Sequence, residues 1–555
     1  PNERNLRGEQ SMSKVAHYLQ EHVLGEVMTS LDARRYFSTD GSIFSVAPAV
    51  IIYPRNESDV RKAARFAWQL AERGRIIPIT PRGSGTDQSG AAIGSGIIMA
   101  FPAHMNRILE LDTKTGIVVV EPGANYGKVQ QALETHGRFL PPYPANLEYS
   151  TIGGAVASNS GGEKSVKYGD SRTYVKHLRV VLANGEVIET HKLSKRELSR
   201  KLGLASFEGE IYRAVDTLIE ENQRVIDKTE LRVSKNTAGY SLLDIKTKDG
   251  FDLTPLIVGS QGTLGIITEI TMETEPHNPH TLLLAGFFDD INKVQQALLE
   301  LRALPDPPSA IEMVDGNLLA VVQSINPNQL KDVIPTPIPK VVLLIEFDDF
   351  GDHAQKRLSK KVQKILSKLA YSQEEATTEP AKEKLWKIRH AAATVLAQSD
   401  SGLKAVPLIE DGVVPIEAYG EFLTKLQQLL QRHHTQVAIW GHAGDANLYA
   451  RPLLDLAQVG DRQMAIKLMD EYYDLVIGLG GTTSGEHGDG RLRAPYLRQL
   501  YGDEAYGLMQ SIKQIFDPYN ILNPGVKINV SLEDIKPLIR HEYSLGTWYG
   551  HMPRT

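Results

Sequence analysis

The sequence predicts an α+β protein of at least two domains, and three observations carry that reading. At 555 residues the chain is too long for one hydrophobic core. Residues 1–275 mix short strands and helices around three glycine-rich runs. Residues 276–500 change character and alternate strands with longer helical patterns. A short segment over 501–530 and a tail over 531–555, whose role the sequence leaves open, complete the chain.

Taken in order, residues 16–37 read as helix and 50–53 as a short strand ending at Pro54. Asn56 and Ser58 offer capping chemistry for a helix over 59–73, with Val60, Ala64, Phe66, Ala67, Trp68 and Leu70 as its apolar face and Gly74 as its stop. Residues 75–80 read as a strand leading into the glycine-rich stretch 82–96. Residues 117–121 form another strand, closed by Pro122 and Gly123, and 127–136 a short helix ending at Gly137. Asn184-Gly185 between 178–182 and 186–189 is a hairpin signal. In the second part, 281–288, 310–314 and 341–347 read as strands, and 290–303, 352–369, 380–397 and 416–433 as helices. That alternation predicts an antiparallel or mixed sheet covered on one face by helices.

Composition narrows the function. Apolar content of 41% and charged content of 23% are ordinary for a globular protein. The net charge of −6, with both signs mixed, gives no field to hold a nucleic-acid backbone. The absence of cysteine excludes disulfides and cysteine-ligated iron–sulfur clusters within this chain. No stretch approaches the roughly 20 apolar residues that cross a bilayer, and residues 1–10 carry no apolar signal core. A soluble cytoplasmic protein is the expectation, with peripheral membrane attachment through a partner left open.

The first glycine-rich run, Pro81-Arg82-Gly83-Ser84-Gly85-Thr86-Asp87-Gln88-Ser89-Gly90, follows a strand. Glycines let successive amides turn toward one anion. The run is not a Rossmann fingerprint, since Gln88 stands where the third glycine belongs. Nor is there a Walker A loop, since Glu163 separates Gly162 from Lys164. The second run, 144–162, is almost bare of large side chains, which lets backbone approach a flat ligand closely. The third, Gly259-Ser260-Gln261-Gly262-Thr263-Leu264-Gly265, turns into a strand. Three such runs in one α+β region, matching neither common nucleotide motif, favour a large nucleotide cofactor.

Two further segments concentrate ionisable groups. Gly441-His442-Ala443-Gly444-Asp445-Ala446-Asn447-Leu448-Tyr449 follows an apolar strand, and Ser484-Gly485-Glu486-His487-Gly488-Asp489-Gly490-Arg491 follows an apolar helix. Two His, a Glu and two Asp in glycine-framed loops behind buried elements point to a built site. Imidazole, with an unperturbed pKa of about 6.5, suits a general base.

The three runs, with Lys235-Asn236-Thr237-Ala238-Gly239-Tyr240 between them, resemble the vanillyl-alcohol oxidase and p-cresol methylhydroxylase superfamily. Within it they are most similar to the branch of the glycolate oxidases, D-lactate dehydrogenases and D-2-hydroxyglutarate dehydrogenases, over about residues 53–526. The resemblance implies a two-subdomain PCMH-type FAD-binding domain over 1–275 and an inserted ferredoxin-like substrate, or cap, domain over 276–500. Residues 501–530 then return to the FAD domain. It implies that Arg82, Gly83, Ser84, Gly85 and Thr86 wrap the FAD pyrophosphate, with Pro81, Pro144 and Gly262 as further cofactor-binding residues. Gly153, Gly154, Ala157, Asn159, Gly161 and Gly162 line the flavin, Ile266 and Ile267 flank the nucleotide end, and Asn523 stands near the flavin. Gln261 stands where relatives often carry Glu. With no cysteine in the chain and no His in the first run, the FAD is expected to be non-covalent.

The same resemblance implies oxidation of a small (D-)2-hydroxy acid, such as D-lactate, glycolate or D-2-hydroxyglutarate, to the 2-keto acid with hydride passing to flavin N5. His487 is the implied base and Arg389, in Leu385-Trp386-Lys387-Ile388-Arg389, the implied grip on the carboxylate. Lys382, Lys384 and Lys387 read as a solvated helix face. Glu410-Asp411-Gly412-Val413-Val414-Pro415 matches the family at the domain junction. His442 and Glu486 are the implied ligands of a divalent metal such as Zn or Mn. Relatives commonly read Asn-Leu-His where this chain has Asn447-Leu448-Tyr449, and a neutral phenol is a poor zinc ligand. Either fewer protein groups hold the metal, or there is none and Tyr449 donates to substrate. Electrons then pass to quinone, an electron-transfer flavoprotein, a separate iron–sulfur subunit or oxygen, and a homodimer stays open. Three rival readings remain: a flavin-dependent transferase of the ether-lipid synthase type, a metal-dependent hydrolase on His442, Asp445, Glu486 and His487, and a non-catalytic binding protein.

Overall fold

A computed structural model describes residues 3–396, 402–435 and 437–543. Two larger sheets, with two short two-stranded pairings beside them, form the first part. The first orders strands Glu26–Met28, Val50–Tyr53, Ile97–Ala100 and Ile79–Arg82 side by side, the last three parallel. The helix Glu57–Glu72 covers it with Val60, Ala63, Ala64, Ala67 and Ala71, and is capped by Asn56, whose side chain accepts from the Asp59 amide. The second sheet is antiparallel, in the order Ile108–Asp112, Ile117–Val120, Ile266–Glu273, Val175–Val181, Val187–Thr190.

The helix expected over 16–37 is instead a helix Glu3–His22, the strand Glu26–Met28 and a short helix Leu31–Tyr36. Gly25 breaks it, because a Cβ there would lie 1.8 Å from the Tyr53 carbonyl oxygen. The chain can therefore lie against Val50–Tyr53 and pair with it. The buried Asp59 carboxylate fixes this corner by accepting from the amides of Leu24, Gly25 and Arg55. The strand expected at 75–80 is displaced to Ile79–Arg82, where pairing with Ile97–Ala100 begins.

The middle region builds one eight-stranded antiparallel sheet. Ser372–Ala376, Leu282–Phe288, Val341–Phe347, Ala310–Asp315, Val437–Gly441, Asn447–Leu454 and Lys404–Ala405 follow in that order, and Ile409–Val413 also pairs with Asn447–Leu454. Leu282–Phe288, Ala310–Asp315 and Val341–Phe347 are buried at every position. Alternate side chains point to opposite faces, so one-sided cover is not enough, and helices pack on both faces. Leu282, Leu284, Ile311 and Leu343 meet the helices Ile291–Arg302, Asp352–Leu369 and Tyr419–Arg432. Leu283, Ala285, Val314 and Leu344 meet Gly316–Ile325 and Glu379–Leu396. On the last helix Lys382 is not solvated. It is buried, and its ammonium donates to the Thr281 carbonyl at 3.1 Å.

The helix Leu497–Phe516 leaves this region and packs Leu497, Tyr506, Met509, Ile512 and Phe516 into the core of the five-stranded sheet. The chain then runs beside the edge strand Ile79–Arg82, with the Ile79 amide donating to Ile521 and the Asn523 amide to Ile79. The described part of the tail lies along residues 41–45, through Ser45 N to Leu538 O, Arg540 N to Ile43 O and the Tyr543 hydroxyl to Gly41 O. Residues 544–555 of the tail lie outside the described residues. Among the described residues no helix is long and apolar enough to cross a membrane.

Candidate functional site

The glycine-rich runs and the two polar loops meet at one cavity of about 1160 Å³. Pro81, Arg82, Gly83, Ser84, Gly85, Thr86, Pro144, Gly153, Gly154, Ala157, Gly262 and Ile267 line it, together with Arg389, His442, Tyr449, Glu486 and His487. Glycine is required where loops abut. A Cβ on Gly153 would lie 2.6 Å from the Pro122 carbonyl oxygen. One on Gly162, at φ +75°, would lie 1.9 Å from that of Tyr143.

Several residues expected on the cofactor stand behind the wall instead. Ile266 turns its side chain into the core of the four-stranded sheet, because strand alternation sends Ile267, not Ile266, to the cavity. Asn159 ends the helix Ile152–Ser158 in a left-handed conformation (φ 57°), its amide donating to Asp170 and its oxygen accepting from the Arg172 amide. Gly161 and Gly162 pack on Glu486, whose Oε2 accepts from Gly162 N at 2.6 Å. The Asn523 side chain is wholly used, donating to the carbonyls of Ala91 and Gln261 and accepting from Thr80. Arg82 itself lines the cavity, while its guanidinium, 5.0 Å from the Phe37 ring centroid, donates to the carbonyls of Thr39 and Ala92. Gln261 donates to Ser89 Oγ and the His487 carbonyl and accepts from Gly490 N. A neutral amide can do both and a carboxylate cannot.

The ionisable groups form a chain of pairs. Arg389 Nε donates to Glu312 Oε2 at 2.7 Å, and His442 Nδ1 lies 2.6 Å from Glu312 Oε1. His442 Nε2 lies 3.0 Å from Glu486 Oε1, which also accepts from the Tyr449 hydroxyl. Glu486 Oε2 accepts from Lys235 Nζ at 2.9 Å as well as from Gly162 N. Burial alone would keep His442 neutral, but Glu312 and Glu486 outweigh it and push its pKa up to about 9. Burial also works against the Glu486 carboxylate, yet Lys235 and then His442 hold its pKa well below the usual range. His487 Nδ1 lies 2.9 Å from Glu410 Oε1, and the ring stacks on Tyr449 with centroids 5.2 Å apart. Glu410 is in turn ion-paired to Arg451 at 2.7 Å. Sequence reasoning missed Glu312 and Arg451, and it read Lys235 and Glu410 only as parts of family segments. The readable signal was a carboxylate set between Ile311 and Met313 inside the strand Ala310–Asp315, since a buried charge needs partners.

The donor set does not fit a divalent metal. Zinc sites take three or four imidazole, thiolate or carboxylate ligands. Here both His442 nitrogens face carboxylates, and both Glu486 oxygens already accept from protein donors. Burial and Glu486 hold the Tyr449 phenol well above its ordinary pKa, so it stays a donor. Among the described residues no group of three or more His, Cys, Asp or Glu is arranged to hold a metal. The expectation of His442 and Glu486 as metal ligands is therefore not supported, nor is the hydrolase built on them. Purified protein is expected to contain no stoichiometric Zn or Mn by elemental analysis and to keep its turnover after EDTA dialysis. A loss of activity that Zn or Mn restores would contradict this.

Residues 48–191 match the family described as FAD binding domain, and residues 277–526 the one described as FAD linked oxidases, C-terminal domain. Glycolate oxidase subunit GlcD of Bacillus subtilis is 31% identical over 86% of this chain and 88% of its own length. D-2-hydroxyglutarate dehydrogenase of Escherichia coli is 28% identical over 91% of this chain, which spans 50% of that protein. Among solved structures, p-cresol methylhydroxylase superposes with a TM-score of 0.68 at 16% identity, covering 95% of this chain and 98% of its own. Alkyldihydroxyacetonephosphate synthase superposes with a TM-score of 0.63 at 18% identity, over 92% and 84%. At such identities the two structures establish the fold and not the reaction.

Proposed function

Because this chain belongs to the family of FAD-linked oxidoreductases that includes the glycolate oxidase subunit GlcD, we propose that it oxidises a small 2-hydroxy acid to the 2-keto acid. The observation that carries the reading is that the glycine-rich runs, His487 and Arg389 line one cavity. Pro81, Gly83, Ser84, Gly85, Thr86, Gly153, Gly154, Gly262 and Ile267 would hold the cofactor. Bound FAD supplies the acceptor for the hydride that leaves the α-carbon.

Arg389 orients the substrate. Glu312 occupies its Nε, which leaves the two-pronged end of the guanidinium for a carboxylate. His487 takes the hydroxyl proton. It is the most exposed member of the ionisable chain, with 27% of its side chain accessible against 3% for His442. Tyr449 stacks on that ring and steadies it. His442 has no free nitrogen to offer a substrate. Its role is to bridge Glu312 and Glu486. The electrons leave to an acceptor outside this chain, such as quinone, an electron-transfer flavoprotein or a separate iron–sulfur subunit.

The sign of the pH dependence follows. Burial opposes the imidazolium of His487, but Asp411, Glu410 and Glu486 outweigh it and raise its pKa. A base works only unprotonated, so kcat/KM is expected to climb with pH through a pKa above the ordinary value of about 6.5. An acid limb at or below that value would contradict the assignment. The reaction class itself is tested by turnover of D-lactate, D-2-hydroxyglutarate and glycolate with an artificial electron acceptor. No turnover of any 2-hydroxy acid by FAD-loaded protein would overturn it.

A further inference from the structure

Glu410 is fully buried on the strand Ile409–Val413, next to an irregularity in its pairing with Asn447–Leu454. The residue at the irregularity, Asp411, has φ +68°, a sparsely populated conformation for a side-chain-bearing residue. Its carboxylate accepts from the amides of Glu486 and His487 and from the Ser484 hydroxyl. Two neighbours on one bulged strand thus address the same histidine, Asp411 through its backbone and Glu410 through its ring.

We infer that Glu410 is a positioning residue for His487, fixing the ring so that Nδ1 carries the proton and Nε2 is free to receive one from the substrate hydroxyl. The inference rests on the reading of His487 as the base. A neutral imidazole has one N–H and one lone pair, and a carboxylate at Nδ1 can only accept, so the proton belongs there. Among the described residues Nε2 has no hydrogen-bond partner, and the carboxylate oxygen facing it, Glu486 Oε1, lies 4.0 Å away. Arg451 completes the arrangement. Its guanidinium lies 2.7 Å from Glu410 Oε2, is held by Gln88 at 2.7 Å and packs over the Trp440 ring at 5.7 Å. With that cation in place Glu410 stays a carboxylate. The proton arriving at Nε2 is kept on the imidazolium, whose charge Glu410 balances, and the Nδ1 proton is not passed on.

The test uses the full FAD-loaded protein with Glu410→Gln and Glu410→Asp, each alone and in a His487→Gln background. The side-chain amide of Glu410→Gln can present N–H to Nδ1 and favour the wrong tautomer. It should lower kcat by about 10²–10⁴-fold while the flavin spectrum, KM and the binding of oxalate, a non-oxidisable probe, change little. Glu410→Asp should recover part of kcat. In the His487→Gln background the same substitution should cost almost nothing, because the two residues act as a unit. Near-normal kcat in Glu410→Gln would overturn the inference. So would a kcat loss that persists undiminished in the His487→Gln background, or one that comes with loss of FAD and of thermal stability in both Glu410 variants. If His487→Gln itself retains kcat, the reading of the base fails and this inference with it. If only Glu410→Gln retains it, the base stands and the inference alone falls.

Discussion

Replacing His487 by glutamine is expected to lower kcat by about 10²–10⁴-fold without releasing FAD. The ring lies against Tyr449 and Glu410 at the cavity wall and bonds to no glycine-rich run through its side chain. Its contact with Gln261 runs through the backbone carbonyl, which the substitution preserves. Glutamine also keeps a polar group within reach of Glu410, so the buried carboxylate is not stranded. Rapid-mixing measurement of flavin reduction isolates the chemical step from release of product. A rate within a few-fold of the parent would remove His487 from the chemistry and leave its raised pKa as a property of a structural ion-pair chain.

Arg389→Met is expected to reduce kcat/KM for any 2-hydroxy acid by about 10²–10³-fold, chiefly through KM. Two charge-assisted hydrogen bonds to a carboxylate are together worth roughly 3–6 kcal/mol, and part of that is recovered by water in an open cavity. The loss falls on substrate and transition state alike, hence on KM. Arg389→Lys should rescue little, because an ammonium cannot reproduce the fork. The substitution also takes one of the two cationic partners from Glu312, and His442 keeps the other, so a modest fall in Tm accompanies the kinetic effect. An unchanged KM would mean that the carboxylate is gripped elsewhere.

What is legible in the sequence follows from how local each signal is. Glycine runs are visible because bare backbone is rare over many positions. The helix Asp352–Leu369 is visible because its apolar period repeats over five turns. The polar loops are visible because charge among glycines after an apolar element has few other uses. Glu312 is hidden because its partners, Arg389 and His442, lie 77 and 130 positions away in the sequence. The two-sided cover of the large sheet is hidden in Leu282–Phe288 and in residues 341–345. An unbroken apolar run does not announce which residue faces which layer. Gly25 reads as an interior helix residue because the reason for it is the Tyr53 carbonyl, a contact no local pattern encodes. The motif around Asn523 points to the flavin. Its amide staples Ala91 and Gln261 instead, a role behind the cavity wall with the same sequence signature.

The most direct measurement of the central claim is an anaerobic titration, following the visible spectrum of the purified protein while D-lactate, D-2-hydroxyglutarate and glycolate are added in turn, with and without EDTA. The expected result is an oxidised flavin spectrum that one or more of these acids bleaches, equally well with the chelator present. A colourless protein that FAD cannot reconstitute, or a yellow one that no 2-hydroxy acid bleaches, would contradict it.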